Sequence, residues 1–74
     1  MGCRVGMTTD PEGRKEDWKK KYPNLYGWEI LHRTRSKSHA QQLETQEANA
    51  RGCDHGSGGG GPEIGDWHVY YFRF

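Results

Sequence analysis

Apolar residues alternate with others at the start of the chain, with Cys3, Val5 and Met7 on one side and Arg4 on the other. That period predicts a short strand over residues 2–8. Thr8-Thr9-Asp10-Pro11 then opens a helix: Asp10 can cap free backbone N–H groups, Pro11 suits the first turn, and Glu12 opposes the positive end of the dipole. Arg14, Trp18 and Tyr22 recur at every fourth position and share a face, and the helix is expected to stop before Pro23. Asn24-Leu25-Tyr26-Gly27 reads as a turn. Residues 28–34 form the next strand, with Trp28, Ile30 and His32 facing opposite to Glu29, Leu31 and Arg33.

Ser36 caps a second helix through about Ala50, with Arg51 in its last turn and Gly52 just past its end. Ala40, Leu43 and Ala48 make its apolar stripe, and Glu44 lies beside them, one turn from each alanine. Residues 52–66 read as a glycine-rich loop without the Gly-Lys-Ser/Thr ending of a phosphate loop. The closing run, Trp67 to Phe74, is nearly all strand formers. The expected fold is α+β, in the order β-α-β-α-β: a small three-stranded antiparallel sheet with two helices on its other side. The whole chain, residues 1–74, is expected to form one domain.

Composition changes this picture in two ways. Only 31% of the 74 residues are hydrophobic, so the core must lean on large rings, which bury much area per residue. A homodimer would add burial and is compatible with the sequence. Net charge is +1, which argues against strongly electrostatic binding, although Lys19-Lys20-Lys21 and the Arg33, Arg35, Lys37 alternation leave local basic patches. No apolar run reaches the roughly 20 residues that span a bilayer, and the start of the chain lacks a secretory pattern. Met1-Gly2-Cys3 fails the lipidation pattern because Gly6 stands where Ser or Thr is wanted. Two cysteines, Cys3 and Cys53, fit a cytoplasmic protein with free thiols better than a disulfide framework.

Arg4-Val5-Gly6-Met7-Thr8, Arg14, Trp28-Glu29-Ile30-Leu31, and the helix from Ser36 through Glu44 together resemble the GIY-YIG nuclease superfamily over about residues 4–50. In that family a hairpin bearing Gly-Ile-Tyr and Tyr-Ile-Gly precedes a helix with an arginine, then a strand and a helix with a metal-binding glutamate. Two departures stand out: Arg4 replaces the second tyrosine, and the first hairpin strand is missing from the N-terminus. His68-Val69-Tyr70 resembles that strand displaced to the other end, which implies a circular permutation made through the Gly56–Gly61 loop.

The resemblance implies a nucleic-acid module, DNA before RNA, hydrolysing a phosphodiester with Mg²⁺ or Mn²⁺ held by Glu44. Arg14 would stabilise phosphoryl charge. Tyr70 would position or activate water, with Tyr71 in its place if the register slips by one. Arg4, His68 and His32 are supporting candidates, either histidine serving as a base beside Tyr70. Each has a structural alternative: Arg14 exposed and stacked on Trp18, Glu44 an ordinary helix-edge glutamate, and Tyr70 or Tyr71 a core ring. Cys53-Asp54-His55, with Cys3 or His39, lacks the paired spacing of a zinc site.

Two other function classes stay open. A catalytically silent scaffold would bind a partner protein, as in a phage or mobile-element accessory protein that inhibits a host nuclease. A small-molecule module would use the aromatic C-terminal strand and the glycine loop.

Overall fold

The computed structural model describes residues 2–56 and 61–74. Its elements run β1 (Cys3–Thr8), α1 (Pro11–Lys21), β2 (Tyr26–Ser36), α2 (Lys37–Arg51), β3 (Asp54–His55) and β4 (Ile64–Arg73). The strand order is β2-β4-β1-β3. β4 pairs antiparallel with both β1 and β2, and β3 lies parallel to β1. The α+β class and both helices are as expected, but the sheet has four strands and is mixed. β3 falls within the stretch expected to be loop, since two residues are too short to carry a period; its pairing to Arg4 and Val5 makes it a strand.

Both helix starts follow their caps. The Asp10 carboxylate accepts from the Gly13 N–H at 3.2 Å, and the Ser36 hydroxyl accepts from the His39 N–H at 3.3 Å. Gly52 ends α2 at φ 65°, the left-handed conformation that a side chain disfavours. α1 ends at Lys21, where the Tyr22 N–H bonds the Trp18 carbonyl at 2.7 Å, two residues short of Pro23.

The two helices take opposite faces, contrary to the one-sided packing expected. The reason lies in β4, which is central and apolar on both sides. Trp67, Val69 and Tyr71 join Val5, Met7, Leu43, Ala40 and Ala48 in one cluster beneath α2. The alternate residues Tyr70 and Phe72 meet Trp18 of α1 and Trp28 of β2. β1 and β4, at the two ends of the chain, pair from Cys3↔Arg73 to Thr8↔His68. Gly2 and Phe74 close the ladder with reciprocal backbone bonds of 2.6 and 2.9 Å.

β2 begins earlier than expected, at Tyr26, and its pairing with β4 shifts register between Tyr26 and Glu29, between Ile30 and His32, and between Thr34 and Ser36. The shift at Leu31 breaks the alternation. Trp28 stacks on Tyr70, whereas His32 pairs with Val69 and turns to the α2 face.

Cys3 and Cys53 are joined in a disulfide, their Cα atoms 5.0 Å apart, and so are not the free thiols expected. The pairing Arg4↔Asp54 sets the two cysteines side by side across neighbouring strands, a closeness that a 50-residue separation does not reveal. No helix among the described residues is long and apolar enough to cross a membrane.

Candidate functional site

Tyr70 lies in the middle of β4, opposite Gly6 of β1. Its side chain folds over Gly6 so closely that a Cβ there would collide with the hydroxyl and its ring carbon, so this position accepts only glycine. The Trp18 indole N–H donates to the Tyr70 hydroxyl at 2.9 Å, and Trp28 stacks on the ring at 4.8 Å. Tyr70 is 2% exposed. With its oxygen accepting from Trp18, the phenol keeps its own proton available to donate.

Arg4, one position before Val5 and on the Tyr70 side of β1, sets its guanidinium 4.7 Å above the Trp18 ring. Trp18 thus joins Tyr70 on one side to Arg4 on the other. Beyond Arg4 comes Gly56, just after β3. A Cβ on Gly56 would stand 3.5 Å from Arg4 Nη2 and 4.0 Å from Glu44 Oε2, so both groups lie beside this glycine.

Glu44 comes to Gly56 from the inner face of α2, between the fully buried Ala40 and Ala48, and is itself 2% exposed. Burial raises its carboxyl above the ordinary 4.5, while nearby His55 and then Arg4 pull it back down. His55 is the last residue of β3, and its Nδ1 lies 3.0 Å from the Gly56 carbonyl. That contact assigns Nδ1 as the donor, since a carbonyl can only accept.

The remaining candidates are scattered. Arg14 is exposed on α1, and its side chain makes no hydrogen bond or ion pair among the described residues; its backbone N–H bonds the Asp10 carbonyl at 3.0 Å. Tyr71 points to the α2 face, where the Arg51 guanidinium covers its ring at 4.8 Å, so Tyr70 and not Tyr71 faces Arg4 and Trp18. His32 cannot serve beside Tyr70: the shift at Leu31 puts it on the other face, where its Nε2 meets Glu47 Oε2 at 2.6 Å. That bond, then burial acting against it, then Arg51, hold the Glu47 carboxyl below its ordinary value. His68 pairs with Thr8, and its Nδ1 is buried with no hydrogen-bond partner among the described residues.

From the sequence, His55 is a candidate only as a zinc ligand, Trp18 only as a ring on the helix face, and Gly56 only as part of the connecting loop. The Trp18 signal was present in its helical face. His55 and Gly56 gained importance only through β3. Among the described residues no group of three or more His, Cys, Asp or Glu is arranged to hold a metal. The donor set is one buried carboxylate, and Mg²⁺ or Mn²⁺ commonly takes one or two carboxylates and fills its other positions with water and phosphate oxygens, so Glu44 is the residue that would hold it. No family model matches the chain, and no curated protein or solved structure is significantly similar to it.

Proposed function

We propose that the chain is a GIY-YIG-like nucleic-acid module that hydrolyses a DNA phosphodiester at Glu44 and Arg4. The observation that carries this reading is the meeting of a buried carboxylate, Glu44, and a guanidinium, Arg4, beside Gly56, with Trp18 linking Arg4 to Tyr70. The pairing of the terminal strands is also what a permuted arrangement requires. Arg4 binds a phosphate oxygen and opposes the charge that develops on it. Tyr70, its oxygen accepting from the Trp18 N–H, acts as a positioning residue that holds Trp18 and, through it, Arg4. Arg14, exposed on α1, contributes charge to the approaching backbone. Glu44 would hold Mg²⁺ or Mn²⁺, which when bound would supply Lewis acidity toward the phosphoryl group. Burial of Glu44 works against its ionised form, so activity rises with pH as the carboxylate is restored.

Plasmid and branched DNA incubated with Mg²⁺ or Mn²⁺ test this, wild type beside Glu44→Ala, Arg4→Ala and Arg14→Ala, with folding followed by circular dichroism. Nicking by wild type, lost in folded Glu44→Ala, is the expected result. A folded wild type that cuts neither substrate sinks the catalytic reading.

A second reading has its own support. Tyr70 is sealed between Trp28 and Gly6, and Arg4 stands in place of the family's second tyrosine. A silent scaffold that binds a partner protein, such as a phage-encoded inhibitor, would keep this arrangement for packing alone. It would then tolerate Glu44→Ala. A cytoplasmic setting goes with either reading only if the Cys3–Cys53 pair is reduced there, which thiol labelling in cells would show.

A further inference from the structure

On the α2 face, where that helix ends and leaves the sheet uncovered, lies a cavity of about 420 Å³ bordered by Tyr26, Arg51, Gly52, Asp54, Tyr71 and Arg73. Its size is at the lower end of the roughly 300–1,000 Å³ of small-molecule sites. None of its side chains belongs to the Glu44 site.

Two features give it chemistry. Both arginines ride on tyrosines, Arg51 4.8 Å above Tyr71 and Arg73 5.7 Å above Tyr26. Arg51 is also fixed at Nε by Glu47 Oε1, 3.2 Å away, while the other oxygen of that carboxylate is taken by His32. Two guanidiniums and the carboxylate of Asp54 line the cavity, with Glu47 behind Arg51 offsetting part of its charge. A guanidinium suits the oxygens of a phosphate group, which it can grip in a fork, and this cavity offers two. The second feature is Tyr26, 48% exposed at the outer strand of the sheet, a flat ring on which a planar base can stack.

We infer that this cavity binds a single nucleotide unit, its phosphate between Arg51 and Arg73 and its base against Tyr26. The site would accept either a free 5′-mononucleotide or the phosphorylated end of a strand. It does not depend on whether the Glu44 site cuts DNA.

Amide NMR of the full, disulfide-bonded chain tests this, with 5′-AMP, adenosine, and oligonucleotides with and without a 5′-phosphate as separate titrants. Saturable shifts at Tyr26, Gly52 and Tyr71 are expected with 5′-AMP and not with adenosine. Arg73→Ala, at an exposed position, should keep its spectrum and weaken binding by about tenfold or more, the equivalent of one charge-assisted contact. Glu44→Gln should bind as wild type, whether or not it cleaves DNA. Binding of the 5′-phosphorylated oligonucleotide alone would keep the site and assign it to strand ends. No saturable shift at these residues with any phosphorylated titrant would overturn the inference. So would equal binding of adenosine, unchanged affinity in Arg73→Ala, or loss of binding in Glu44→Gln.

Discussion

On one face of the sheet α2 lies close, with Ala40 and Ala48 fully buried beside Val5, Met7 and Val69. On the other, α1 stands off, buries no residue completely, and meets the strands through Trp18 and Tyr22. Methyl groups let one helix approach; rings of 4.1 to 6.3 Å centroid spacing fill the wider gap under the other. The difference shows how a chain poor in aliphatic residues builds two layers of core. Its few small apolar residues serve one face, and its aromatics serve the other. Chemistry follows the same division, since the ring layer carries Tyr70 and Arg4 while the close-packed helix delivers Glu44 around the edge at β3.

The largest test removes a ring. Phe72 is fully buried between Trp18, Trp28 and Tyr70, and Phe72→Ala should cost about 3–5 kcal/mol, most of the stability of a domain this size. Urea denaturation would measure it; a loss under about 1 kcal/mol would mean that the aromatic face is not core. Next comes reduction of Cys3–Cys53, which sits at the edge of the α2 face. Opening it should cost about 2–4 kcal/mol and release β3 while the near-ultraviolet signal of stacked Trp18 and Trp28 survives. Collapse of both signals together would show that the two faces do not hold independently.

A smaller effect separates the packing styles. Ala48→Leu should push α2 off the sheet and cost about 1–3 kcal/mol, a drop of roughly 4–8 °C in Tm per kcal/mol. An unchanged Tm would show that α2 does not approach as closely as its alanines imply.

The smallest effects come from two carboxylates of α2 and run in opposite senses with pH. The raised Glu44 favours the protonated folded state, so its contribution is fully present below 4.5 and is lost as pH rises through its folded value. Glu44→Gln should therefore gain stability relative to wild type as pH goes from acid to neutral. Glu47 is lowered, so its contribution is present above 4.5 and is lost as pH falls through its folded value. Glu47→Gln should lose about 1 kcal/mol at neutral pH and match wild type in acid. Thermal melts across pH 3 to 8, roughly the range in which carboxylates titrate, would check both signs.

Much of the frame was legible from neighbouring residues alone. Asp10, Ser36 and Gly52 set both helix boundaries through local hydrogen bonds and one left-handed turn, and alternation placed Val5 and Met7 against Arg4. The inner position of Glu44 followed from helical period between Ala40 and Ala48. Long-range pairing decided the rest. Whether Tyr70 or Tyr71 joined Arg4 depended on a one-residue register between strands from opposite ends of the chain. One extra residue at Leu31 moved His32 across the sheet, and two residues of β3 brought His55, Gly56 and Cys53 to β1. Caps and periods are written within a few residues and survive in the sequence. Register, bulges and crosslinks are set by which distant strands best bury their rings, and only the assembled sheet resolves them.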